Sequence, residues 1–198
     1  MALKIFLLVY LILFYGVAFF WRTYRVWRTT GINPYRLSEK EGLSGFMATY
    51  FRLIVAGTIL VVLIKVFADR FYQALTPITW LEQPSVTGIG LVLLVVAFVW
   101  VAVAQAQMGT SWRIGIDTEN KTALVTEGLF RLSRNPIFLG MRLNLLGLFL
   151  VLPNAVTLAL WLLGDVSIQT QVYLEEEHLL TLHREAYEQY RKRVRRWL

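Results

Sequence analysis

Side chains able to do chemistry crowd into the second half of this 198-residue sequence, in three places. The first is Glu175-Glu176-Glu177-His178, three adjacent carboxylates beside an imidazole. Glu175 and His178 stand three apart, which suits two metal ligands on one helix face. A carboxylate-bridged metal site in a helical bundle needs a second such pair, and His183 is the only other histidine. We therefore expect no metal. The triplet reads either as a solvated face balanced by nearby arginines or as a carboxylate that binds a cationic or hydroxyl-rich ligand. The second place is Arg131 to Gly140. Ser133 or Asn135 is placed to cap a helix with Pro136 at its first position, and such an N-terminus favours anions. Phe138 and Arg142, four apart, share a face. Arg142 either faces a wet interior or snorkels to headgroups. The third is the stretch from Gly109 to Gly115 and on to Phe130, with three glycines, Trp112 and several hydroxyls. Composition reads it as an ordinary connecting loop, and it has neither a P-loop nor a dinucleotide fingerprint. No nucleophile, base and orienting group stand together.

The elements that must position these residues are apolar. The chain is 57% hydrophobic with a mean hydropathy of +0.54, above the 45–50% apolar content of ordinary soluble domains. That excludes a disordered chain. The absence of cysteine excludes a disulfide scaffold and a thiolate metal site. Charge-free runs cover Ile5 to Trp21, Leu53 to Ile64, Gln83 to Trp112 and Leu143 to Gly164. These read as membrane-spanning helices, the second extended by snorkelling Arg52 and Lys65. The N-terminal run lacks a small-residue cleavage site and is read as a retained helix. The last run is either one kinked helix or a hairpin turning at Pro153-Asn154.

Charge decides between them. Sixteen of the twenty basic residues fall in three segments: Arg22 to Arg52, including Lys40; Arg113 to Arg134, including Lys121; and Arg184 to Arg196. Basic segments belong on the cytoplasmic side. Five crossings put all three together, whereas four would separate the last from the first. We expect an all-α polytopic membrane protein of about five transmembrane helices, with a C-terminal helical hairpin and a cytoplasmic helix. The expected topology has the N-terminus outside and the C-terminus in the cytoplasm. It is a single integral-membrane domain over 1–198, divided into N-terminal helices (1–87) and a cofactor-binding half (88–198). Orientation and anionic headgroups account for the net charge of +7, which excludes nucleic acid as the partner. Membrane lipids are the expected partners, with no obligate protein partner. Thr23 to Tyr50 reads as a mixed loop with a turn at Gly31-Ile-Asn-Pro34 and an interfacial segment from Leu43 to Tyr50. Asp69 to Gln83 reads as an outer loop anchored by Trp80. Thr170 to Leu198 reads as a helix that leaves the membrane and continues.

The order of motifs supplies a further indication. Leu124-Val-Thr-Glu-Gly-Leu-Phe130 is followed by Arg134-Asn-Pro-Ile-Phe-Leu-Gly140. A hairpin intervenes before Glu175-Glu-Glu-His-Leu-Leu180, with Tyr187-Glu-Gln-Tyr190 and Val194 beyond. Together these resemble the integral-membrane methyltransferases, a superfamily that includes isoprenylcysteine carboxyl methyltransferase and the phospholipid N-methyltransferases. The likeness runs from about Gln107 to Val194. It implies an S-adenosylmethionine-dependent methyltransferase acting on a lipophilic or amphiphilic small molecule. By that resemblance the cofactor is lined by Thr122, Ala123, Leu124, Val125, Phe130, Asn135, Pro136, Ile137 and Phe138, with a carboxylate from Glu175 or, one position on, Glu176. Arg134 and Arg142 are the candidates to orient substrate or cofactor carboxylate. Gln171 stands where the carboxyl methyltransferases place a substrate arginine, and a neutral amide argues against a prenylcysteine carboxylate. Asn135 and Phe138 stand where a histidine and a tyrosine are common. The other reading is a non-catalytic scaffold or lipid-binding protein that keeps this fold.

Overall fold

The computed structural model describes residues 1–36, 43–115, 117, 120 and 122–198, with backbone alone at 43–44. Lys40 and Lys121 lie outside the described residues. Regular structure among the described residues is helical, apart from two isolated bridges, Tyr35 with Ile114 and Pro77 with Asn154.

Helix α1 runs from Ala2 to Thr30. It contains a π-helical stretch over Gly16–Trp21. The mixed loop expected from Thr23 starts later, because helix continues to Thr30. The hydroxyls of Thr29 and Thr30 bond back to the carbonyls of Arg25 and Val26 at 2.8 Å each, and Val26 is buried. Gly31 ends the helix at φ +70°, and its N–H bonds the Trp27 carbonyl at 2.8 Å. This left-handed cap is where glycine costs least. Helix α2, Leu43–Phe67, absorbs the segment expected to lie at the interface. Met47 and Ala48 are buried there, so tertiary packing recruits that segment into the bundle. Between α2 and the next helix lie only short 3-10 turns, and Trp80 stays 71% exposed, as a headgroup anchor requires.

Helix α3, Pro84–Met108, and helix α4, Pro136–Val151, pack most closely. Leu94, Ala97, Val101 and Ala104 form a fully buried stripe at helical spacing on α3. A Cβ added at Gly90 would lie 2.9 Å from the Gly147 carbonyl, so the two backbones approach too closely for any side chain there. The opposite face of α3 shows Ile89, Val92, Val96 and Val99, the apolar exterior of a lipid-facing helix. The chain turns at Leu152-Pro153-Asn154 into α5, Ala155–His183. Asn154 and Thr157 close a capping box: Asn154 Oδ1 accepts from the Thr157 N–H at 3.0 Å, and Thr157 Oγ1 accepts from the Asn154 N–H at 3.2 Å. The hairpin reading therefore holds, and the kinked single helix does not.

Four helices, α1, α2, α3 and α5, are long and apolar enough to cross a membrane. Helix α4 has 16 residues, about 24 Å at the helical rise, and is the short arm of the hairpin. The two ends of the bundle are distinct. At one, Lys4 pairs with Asp69 at 3.0 Å, and Ile78 N–H bonds the Pro153 carbonyl at 2.8 Å. At the other, Arg22 donates to the Gly109 carbonyl, Arg36 N–H to the Ile114 carbonyl and Arg134 N–H to the Arg195 carbonyl. The three basic segments thus converge on one end, as five crossings require. The C-terminal region departs from the expected continuous helix. Arg184 adopts φ +43° and breaks it, α6 follows over Glu185–Arg193, and residues 194–198 turn back toward α4. Replacing Asn154 with alanine removes the cap and a contact to the Tyr72 hydroxyl. We expect a loss of about 1–2 kcal/mol, read as a lower thermal midpoint in detergent.

Candidate functional site at the basic end of the bundle

Asn135 occupies the N-cap position of α4 with Pro136 at its first turn, yet its side chain caps nothing. Ser133 Oγ accepts from the Asn135 N–H at 3.1 Å and donates to the Arg196 carbonyl at 3.1 Å. The Asn135 amide is thereby free to cross to α5, where it donates to Glu176 Oε1 at 2.9 Å. Arg134 approaches the same carboxylate through Nε at 3.2 Å and Nη2 at 3.1 Å. Arg196, from the returning tail, adds Nη2 to Oε2 at 2.8 Å. Glu176 is buried, and a buried carboxylate needs such partners. The remaining Arg134 nitrogen, Nη1, donates to the carbonyls of Val194 and Arg191. Tyr190 donates to the Phe130 carbonyl at 2.6 Å. Burial and then the charge of Glu176 push the Tyr187 phenol up to about 12, so it stays neutral.

This network walls a polar cavity. Its lining includes Thr122, Ala123, Leu124, Val125, Phe130, Arg134, Asn135, Pro136, Ile137, Phe138 and Glu175. The structure brings together almost every residue that the resemblance assigned to a cofactor. Glu176 is the exception: it stands behind the wall and braces it, while Glu175 faces the cavity. Glu175 forms no hydrogen bond or ion pair with the described residues. A second, apolar cavity adjoins the first. It is lined by Phe19, Met47, Phe51, Trp112, Met141, Ile168 and Gln171, among others. Met108, Arg113, Gly115, Ile137, Phe138 and Glu175 line both. Gln171 lies in the apolar one, close to this junction.

Arg142 lines neither cavity. Its Nε pairs with Asp165, and its guanidinium lies 4.5 Å from the Trp197 ring centroid. The role expected for it at substrate or cofactor is not where the structure puts it. It clamps the hairpin arms and the tail. Arg134 reaches the polar cavity's wall with its guanidinium committed to Glu176 and the tail carbonyls.

Sequence reasoning missed Arg113 and Asp117. Asp117 is buried, accepts from Arg113 Nε at 3.0 Å and from the Asn120 N–H at 3.1 Å, and lines the polar cavity. Both lie in the stretch that composition reads as a connecting loop. The available signal was the four-residue spacing of opposite charges inside it. Among the described residues no three His, Asp or Glu side chains gather to hold a metal.

The described residues form a helical bundle with a polar cavity at its basic end that shares six lining residues with an apolar one. A family model described as phospholipid methyltransferase matches residues 84–186. The match covers just over half of the chain, which belongs to this family of membrane methyltransferases, related to the isoprenylcysteine carboxyl methyltransferases. No curated protein and no solved structure matches the chain.

The two glutamates should separate experimentally. Glu176→Gln weakens three interactions at once, and we expect trypsin to cut faster after Arg195 and Arg196 under native conditions. Glu175→Gln should leave that cleavage rate unchanged.

Proposed function

We propose that the protein is an S-adenosylmethionine-dependent methyltransferase whose acceptor is a lipophilic or amphiphilic small molecule. The observation that carries the reading is the junction of the two cavities at Ile137, Phe138 and Glu175. When bound, S-adenosylmethionine supplies an electrophilic methyl group on a sulfonium centre. The residues fit such a group. The polar cavity offers the Glu175 carboxylate to a ligand that carries an ammonium, ribose hydroxyls and a sulfonium, while Asp117 on the same wall is held by Arg113 and Asn120. Leu124, Val125, Phe130 and Leu179 offer apolar surface to its adenine. Aromatic faces attract cations by about 0.5–2 kcal/mol, so Phe130 and Phe138 suit the same ligand.

The protein's own contribution is position and dryness. Holding two reactants in line is worth about 7–11 kcal/mol in well-oriented systems. Phe138 and Ile137 lie where the two ligands would meet and exclude water from that point. Gln171 offers an amide donor and acceptor to an acceptor group in the apolar cavity and forms no hydrogen bond with the described residues. A neutral amide favours an amine or hydroxyl acceptor over a carboxylate, since among the described residues no arginine other than the paired Arg113 lines that cavity. We place the basic end in the cytoplasm, where the donor is made, with the N-terminus on the other side.

Purified protein should bind S-adenosylhomocysteine, and Glu175→Ala or Asn135→Ala should weaken binding by about tenfold or more, the loss of one charge-assisted or buried hydrogen bond. Membrane extract supplied with methyl-labelled donor should yield a labelled lipophilic product. Binding without any product would favour a non-catalytic scaffold, and no binding in either detergent or lipid would remove the methyltransferase reading.

A further inference from the structure

Ser167 on α5 is only 6% exposed, yet it forms no hydrogen bond with the described residues. A hydroxyl inside a helix commonly bonds back to the carbonyl four residues before it. Thr170 and Thr181 on the same helix do so, to Val166 and Glu177 at 3.0 and 3.1 Å. Ser167 instead lines two adjoining spaces, the apolar cavity and a smaller one bordered by Phe14, Ile54 and Leu145. Burying a hydroxyl without a partner is costly, and a ligand that bonds it removes that cost.

Asn144 on α4, also buried, lines the same smaller space. One end of its amide meets the Tyr10 hydroxyl at 2.6 Å, and the other end has no partner among the described residues. Two helices therefore bring unused hydrogen-bonding capacity to one place. None of the described residues lining that place is charged, so a phosphate, carboxylate or ammonium there would be buried without a counter-charge. A neutral oxygen suits it, because a hydroxyl or carbonyl oxygen accepts from Ser167 Oγ.

Sequence spacing links this place to the site of transfer. Ser167, Gln171 and Glu175 stand four residues apart and form one stripe along α5. All three line the apolar cavity. Glu175 marks its junction with the polar cavity. Gln171 lies about 6 Å deeper along the helix, and Ser167 about 6 Å deeper again, at a rise of ~1.5 Å per residue.

We propose that the methyl acceptor carries, besides the group that is methylated, a neutral hydroxyl or carbonyl oxygen that hydrogen-bonds Ser167 in the space it shares with Asn144. The inference rests on the methyltransferase reading for the group that is methylated, and on Ser167 and Asn144 for the second oxygen. It makes Ser167 a specificity residue that selects amphiphiles polar at two points over those polar at one.

Three amphiphiles test it: decanol, and decanol bearing either a hydroxyl or a keto oxygen on its fifth carbon. Binding to the full chain in detergent is read by native mass spectrometry and referred to the concentration of each probe in the micelle. Both oxygenated probes should bind the wild-type protein about tenfold tighter than decanol, the gain from one buried hydrogen bond. Ser167→Ala should bring them to the level of decanol and leave decanol itself unchanged. Gln171→Leu should keep the preference. Equal binding of the three probes by the wild-type protein would overturn the assignment. So would a Ser167→Ala variant that keeps the preference, or one that weakens all three probes together, the mark of a purely structural role. A preference lost in Gln171→Leu and kept in Ser167→Ala would move the contact to Gln171 and overturn it as well. S-adenosylhomocysteine binding on the same preparations keeps the two readings apart. Binding without the preference removes the Ser167 assignment alone, and the preference without binding removes the methyltransferase reading alone.

Discussion

Burying a carboxylate at the end of an apolar bundle is costly unless its lone pairs are met, and the site is organised around meeting those of Glu176. The partners come from two segments far apart in the chain: Arg134 and Asn135 at the entry to α4, and Arg196 from the returning tail. Breaking a fully buried ion pair typically costs about 3–5 kcal/mol. Arg196 is 45% exposed in its side chain, so its half of the cluster is screened and worth less. Arg134 is only 9% exposed and carries the greater share. What the cluster secures is shape as much as stability. It fixes the tail against α5 and thereby completes the wall on which Phe130, Asn135 and Phe138 stand.

The same constraint explains the division between Glu175 and Glu176. On a helix, neighbours in sequence point about 100° apart, so one carboxylate can face the tail cluster while the next faces the cavities. Pairing consumes the first and leaves the second available. Arg142 follows the same logic about two turns further along the same hairpin. A cation near the apolar core must find an anion or an aromatic face, and Asp165 and Trp197 supply both. It therefore reinforces the closure made by the tail rather than serving the cavity.

Position along the bundle matches each cavity to its surroundings. The polar one sits at the basic end, where loops and tail bring backbone donors and paired charges. The apolar one lies beside it and deepens between helices whose inner faces are aromatic and aliphatic. Side chains at the junction belong to both cavities, which is where the proposed donor and acceptor would meet.

Composition and charge placement made much of this legible in advance. Long charge-free runs can satisfy their backbones only as helices in lipid, and three basic segments on one side demanded an odd number of crossings and hence the hairpin at Pro153-Asn154. Local pattern also located the cavity residues around Phe130 and Phe138, through an order of motifs shared with a family. Other features depended on partners far away in the chain. Asn135 looks like a helix cap until Ser133 takes over its backbone and Glu176 claims its amide. The motif order favours Glu175 over Glu176 by a single position, and what separates their roles is the tail, which pairs with Glu176. Asp117 lies in a segment that composition reads as a plain loop. Patterns of hydrophobicity act over one or two turns and are written in sequence, so the helices could be read directly. Which polar atom a buried charge finds is settled by distances between residues 20 to 60 positions apart, and only the packed structure brings those atoms together.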